Sequence, residues 1–176
     1  MNYLYHGVPE QQKGDILYPL NRLKTIFPDV YAEEVKKYAG REYTLRQKLP
    51  KLDCLWNDVL HFTAVHPKFV KQALIEGGQD PNFTRKYYQV PAQLLDSAHT
   101  VVYLYQFPDE EESINERNII PFKPQDMERY SNLPKGTKAY YKEEIAQGLR
   151  PLLYHLVPHI LFRGELDTTS LTVVTV

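Results

Sequence analysis

The sequence predicts an α+β fold with a mainly antiparallel β-sheet and scattered short helices. Three observations carry that expectation. Segments rich in β-branched and aromatic residues occur at both ends and in the middle of the 176-residue chain. Such strands flank the helical segments rather than alternating regularly with them, which argues against a parallel, doubly wound sheet. No Gly-rich phosphate loop of either standard spacing is present, which excludes the usual nucleotide-binding turns. Tyrosine is also abundant, with 14 Tyr against 7 Phe and one Trp. Its apolar ring and polar tip suit half-buried sheet faces and clefts that take flat ligands.

Asn2 to His6 reads as a short first strand stopped by Gly7 and Pro9, and Asp15 to Tyr18 as a second ended by Pro19. Pro28-Asp29 opens a helix with Val30, Tyr31, Val35 and Tyr38 at helical spacing, closed by Gly40. Residues 41–56 read as irregular. Alternation returns from Asp58 to Val65, a strand. Pro67 then starts a helix whose apolar face is Phe69, Val70, Ala73 and Leu74, ended by Gly77-Gly78. Thr84 to Val90 and Thr100 to Phe107 read as strands, and Asp109 to Glu112 as a solvated acidic loop. A short helical piece covers Asp126 to Tyr130, and a helix Tyr140 to Gln147 stops at Gly148 and Pro151. Val157 to Leu166 and Leu171 to Val176 close the chain as two strands around Asp167-Thr168-Thr169.

The length fits a single domain over residues 1–176, burying roughly 70% of the unfolded chain's surface. Hydrophobic residues at 43% and charged residues at 24% exclude wholesale disorder. A net charge of −1 leaves no electrostatic footprint for broad nucleic-acid binding. No apolar run is long enough to span a bilayer, and the opening residues lack signal-peptide architecture. Cys54 is the single cysteine and fits a reducing compartment, so the expectation is a cytoplasmic protein without membrane partners.

Candidate chemistry is sparse. His155 and His159 have the spacing of two ligands on one helix face, but Pro158 between them disfavours helix there. His61 and His66 have no partner at ligand spacing except Asp58, so no metal site is expected. Cys54, flanked by Leu55 and Trp56, reads as a small buried hydrophobe rather than a nucleophile. Glu33-Glu34 and Glu143-Glu144 read as solvated helix faces. More informative is Leu4-Tyr5-His6-Gly7, which puts a His at a strand end beside a Gly where backbone can approach a ligand closely.

Tyr5-His6-Gly7 followed by Lys13-Gly14-Asp15-Ile16-Leu17-Tyr18-Pro19 resembles the opening of the small bacterial rifamycin ADP-ribosyltransferases. The order of later pieces is similar too. Val59-Leu60-His61-Phe62-Thr63 and the helix from Pro67 resemble that family's strand, Thr, helix unit, and Lys86 to Pro91 its next strand. Pro158 to Leu166, with Gly164-Glu165-Leu166, resembles its closing strand. The matching pieces cover less than half of the chain, and residues 20–54 and 105–150 match no part of the family.

The resemblance implies an ADP-ribosyltransferase-like fold, a split and mostly antiparallel sheet with NAD as substrate in the cleft between its halves. It implies loss of nicotinamide from the ribose through an oxocarbenium-like transition state. His6 and Gly7 would hold the ribose, and His61, aligned with the family's Tyr, would stack on the nicotinamide. Asp96, or Glu165 on the closing strand, would supply the carboxylate that stabilises positive charge in the transition state. The expected partners are NAD and an unidentified acceptor. Two alternatives come with it: a non-catalytic ligand-binding or interaction module that keeps the cleft, and an RNA 2′-phosphotransferase-like enzyme. The latter needs several cations converging on phosphate, and Arg41, Arg46, Lys48 and Lys51 are the local basic group.

Overall fold

The computed structural model describes residues 2–105 and 114–176. The expected acidic loop Asp109 to Glu112 and the last two residues of the strand expected to reach Phe107 lie outside them. In chain order the chain forms β1 (Tyr3–Gly7), β2 (Ile16–Leu17), α1 (Leu20–Ile26), α2 (Pro28–Glu34), β3 (Lys48–Leu49), β4 (Cys54–Leu55), β5 (Leu60–Phe62) and α3 (Pro67–Glu76). It continues with β6 (Lys86–Pro91), β7 (Thr100–Tyr103), β8 (Ile119–Pro121), α4 (Lys135–Ala146), β9 (His159–Phe162), β10 (Leu166–Asp167) and β11 (Thr172–Thr175). Short 3₁₀ segments connect many of them, the longest among the described residues being Pro124–Tyr130.

Two antiparallel sheets dominate the described residues. One has the order β1-β6-β11, the other β5-β9-β7-β8, and two-stranded ribbons pair β2 with β10 and β3 with β4. The α+β expectation with antiparallel sheets therefore holds. The sheets share one core, in which Leu4 and Val90 from the first meet Leu60, Phe62, Val102 and Ile160 from the second. A further layer with Leu49, Val59, Ile119 and Leu161 forms around the four-stranded sheet. α3 and α4 pack through Val70, Ala73, Leu74 and Tyr141.

Several boundaries differ from the sequence expectation for local reasons. α1 starts directly after Pro19, whose φ of −57° suits a helix entry, although no side chain caps it. The helix opened by Pro28 tightens into a 3₁₀ turn at Val35–Tyr38. β8 was not expected, being three residues ending in Pro121, but it is an edge strand where a missing donor is tolerated. α4 begins at Lys135, ahead of the expected Tyr140, because Pro134 sets its entry. The expected strand Val157 to Leu166 splits into β9 and β10. Between them Gly164 lies against the Phe162 ring, where a Cβ would stand 2.3 Å from Cζ, so any side chain at this fold-back would force the ring to move.

Candidate functional site

β1 and β5 belong to different sheets and meet at a single antiparallel bridge between Tyr5 and Thr63. The Tyr5 N–H donates to Thr63 O at 2.8 Å, and the Thr63 N–H returns a bond to Tyr5 O at 3.1 Å. Past the bridge a side chain replaces the ladder: His6 Nδ1 donates to the His61 carbonyl at 2.7 Å. Strand alternation sends Tyr5 and Phe62 into the core, 6% and 3% exposed. His6 and His61 instead line one cavity of about 350 Å³, a size within the range of small-molecule sites. A smaller cavity of about 90 Å³, walled by Leu20, Leu23 and Val30, also has His6, Lys37, Tyr38 and His61 in its lining.

His159 is a third histidine in the larger cavity. It opens β9, opposite Tyr103 in the register with β7. Trp56 packs between, with ring centroids 4.5 Å from His61 and 5.7 Å from His159. The turn carrying Trp56 is fixed by Asp58, whose carboxylate accepts from the Leu55 N–H and the Asn21 amide, both at 2.8 Å. Tyr105 stands edge-on to His159 at 5.4 Å, and His155 stacks on Tyr140 at 4.1 Å. The cavity is thus a box of aromatic and imidazole rings.

The hydrogen bonds fix the protonation of those imidazoles. A carbonyl can only accept, so the ring nitrogen facing it carries the proton. His6 and His159 each donate from Nδ1, the latter to Val157 O at 2.6 Å, while His61 donates from Nε2 to Trp56 O at 2.9 Å. Burial pushes His6 and His159 down to about 4. Burial lowers His61 further below its ordinary value, and the neighbouring His159 adds to the effect. All three rings are neutral at pH 7, and each keeps one nitrogen with a lone pair. A neutral His61 also raises no electrostatic objection to a cationic ring stacked beside it.

Positive charge enters from one side. Lys37 and Arg41 both lie over the Tyr38 ring, each 5.7 Å from its centroid, and both line the cavity. Among the described residues no Asp or Glu lines it. Lone pairs, ring faces and two cations together can accept hydrogen bonds from hydroxyl or amide groups, stack on a flat ring and hold an anion.

The remaining sequence-predicted residues are not brought to this cavity. Asp96 lies beyond the opposite end of β6, exposed, where it accepts from the Ala98 N–H and from His99 Nδ1, each at 2.9 Å. These bonds, the backbone N–H first, hold its carboxyl below the usual range, which is the signature of a turn cap. Glu165 follows Gly164, is exposed, and pairs with Arg22 of α1 at 3.0 Å. Gly7 adjoins His6 but lines a different space, a groove beside Tyr87. Of the expected basic group only Arg41 reaches the cavity, while Lys48 and Lys51 line a separate pocket with Cys54. Burial pushes the Cys54 thiol up to about 11, so it is no nucleophile at neutral pH. His155 and His159 share the cavity without sharing a helix, since Leu156 between them has φ +60°. Among the described residues no group of three His, Cys, Asp or Glu side chains is placed to hold a metal ion.

Sequence reasoning missed Trp56, Tyr103, Tyr105, Tyr154 and His159 as cavity residues. Their signals were the tyrosine excess and the expected strand Thr100 to Phe107, in which Tyr103 and Tyr105 would share a face, although β7 ends at Tyr103 and Tyr105 follows it with φ +47°. Comparison with protein-family models, with curated proteins and with solved structures gives no match. Among the described residues no helix is long and apolar enough to cross a membrane.

Proposed function

We propose that the protein binds NAD in the cavity at the junction of its two sheets and is an ADP-ribosyltransferase-like protein. One observation carries this reading: the sheets touch at a single bridge, and His6 and His61 open from that split into one ring-lined cavity. The lone pair on His6 Nε2 accepts from a ribose hydroxyl, the rings of His61 and Trp56 stack on the nicotinamide, and Lys37 and Arg41 attract the pyrophosphate. Transfer places ADP-ribose on an acceptor. Incubation with NAD and measurement of free nicotinamide tests this: release that depends on His6 and His61 supports the enzyme.

A second reading has its own observation. No described carboxylate lines the cavity, so nothing there matches the charge that develops at the ribose carbon during nicotinamide loss. A ligand-binding module without turnover fits that lining. NAD binding without release selects it, and absence of binding defeats both readings.

A further inference from the structure

The smaller cavity of about 90 Å³ is an annex walled by Leu20 and Leu23 of α1, Val30 of α2 and Phe27 at their junction. A cavity of roughly 150 Å³ holds benzene, so the annex has room for about four or five non-hydrogen atoms. Most of its polar lining is already engaged. Lys13 pairs with Asp29 at 2.5 Å and Lys37 with Glu34 at 3.3 Å. Gln12 donates to Gly14 O and the Thr168 hydroxyl and accepts from the Tyr88 hydroxyl. Asn57 differs. It lines the annex but not the larger cavity, and it is 1% exposed. Among the described residues its Nδ2 is the one buried side-chain nitrogen or oxygen without a hydrogen-bond partner.

The neighbours of Asn57 decide which end of its amide is left over. Burial pushes the Tyr38 hydroxyl up to about 12, so it keeps its proton. That hydroxyl bonds the Trp56 indole, which can only donate, and itself donates to Asn57 Oδ1 at 2.7 Å. The Nδ2 donor therefore remains. Acceptors stand in the same lining, because His6 and His61 each keep one imidazole lone pair and border the annex as well as the larger cavity.

We infer that the annex binds a short, neutral aliphatic alcohol. The alcohol oxygen accepts from Asn57 Nδ2, its proton goes to the lone pair of His6 or His61, and its carbons lie among the leucines. One atom then satisfies a buried donor and a buried acceptor, and no polar group of the ligand is left without a partner. A ketone answers Asn57 alone. A primary carboxamide needs two acceptors turned into the annex and buries a more strongly hydrated group against apolar walls. A carboxylate meets imidazole lone pairs and an already paired Lys37. The inference goes beyond the NAD reading and does not depend on it.

The test follows the Asn57 side-chain amide and the Leu20 and Val30 methyl signals of the full chain by NMR, without NAD. The probes are 2-butanol, 2-butanone, propanamide and propanoate, which have equal numbers of non-hydrogen atoms. 2-Butanol should shift these signals saturably, with roughly millimolar affinity for so small a ligand. 2-Butanone should bind about fivefold more weakly, the difference of one hydrogen bond, and propanamide and propanoate at least about tenfold more weakly. L23W, at a partly exposed position, fills the annex and should abolish saturation. N57L keeps the side chain's size, removes the donor and should weaken 2-butanol about fivefold, read on the methyl signals. Thermal melts establish that each variant is folded, and the wild-type probe series decides the ligand class on its own. The inference is overturned if 2-butanol gives no saturable shift, which would leave Asn57 to water alone. It is equally overturned if propanamide or propanoate binds as tightly as the alcohol, or if a folded variant binds 2-butanol unchanged.

Discussion

Lowering the pH from 7.5 to 5 should destabilise the protein well before its carboxylates titrate. His6 and His159 are held down at about 4 by burial, against an ordinary 6.5 in the unfolded chain. The unfolded state therefore binds more protons than the native state between these values, and stability falls as pH falls. The loss begins near 6.5 and is complete near 4. At pH 5 each such histidine costs ~2 kcal/mol, so the pair costs ~4 kcal/mol, from the linkage relation. His61, shifted in the same direction, adds to this. The lowered carboxyls of Asp29, Asp96 and Asp167 act in a lower window, because their stabilisation is lost only as pH falls below their ordinary 3.8. Against a typical total of 5–15 kcal/mol the histidine effect is large. For a domain of this size it corresponds to a fall in Tm of roughly 8–16 °C. Differential scanning calorimetry at several pH values reads it directly. His159→Phe, which keeps a ring beside Trp56 and Tyr105, should shrink the acid loss by ~2 kcal/mol. A Tm that stays flat between pH 7.5 and 5 would refute the assignment of these rings as buried and neutral.

Phe62→Ala and Tyr5→Ala remove side chains 3% and 6% exposed and should each cost roughly 3–5 kcal/mol, read as a lowered denaturation midpoint. Lys37→Ala with Arg41→Ala should weaken NAD binding about tenfold or more by calorimetry while changing Tm little, since the folded state loses only the contacts over the Tyr38 ring, the surface Lys37–Glu34 pair and the Arg41 bond to the Lys37 carbonyl. Asp96→Asn and Glu165→Gln should leave nicotinamide release and NAD affinity unchanged, because neither carboxylate lines the cavity. A large loss of turnover in either variant would return that residue to the catalytic role the sequence suggested.

What was legible in the sequence is what period-two alternation encodes locally. Next to Gly7 and Pro67 it marked β1 and β5, and with them the cavity positions His6 and His61. The carboxylates were not legible, because an acidic residue at a strand end looks the same whether it faces a ligand or caps a turn. Asp96 caps its own turn, and Glu165 pairs with Arg22, more than a hundred residues earlier in the chain, a partner no local pattern announces. The rest of the cavity wall is likewise assembled over long range. His159 meets Tyr103 only through the β7–β9 pairing, and Trp56 reaches both His61 and His159 from a 3₁₀ turn whose geometry Asp58 and Asn21 impose. Residues 41–56 looked irregular for a physical reason, as they form 3₁₀ turns and a two-residue ribbon too short to show any period.

NAD in the cavity where the two sheets meet would lie against His6, His61 and His159. Nitrogen NMR of the histidine rings during an NAD titration tests this placement most directly, because each ring nitrogen has a defined role before ligand is added. NAD should shift the unprotonated nitrogens of His6, His61 and His159 and leave the exposed His99 ring unchanged. Saturating NAD that moves none of the three, or that moves only His99 and His66, would contradict it.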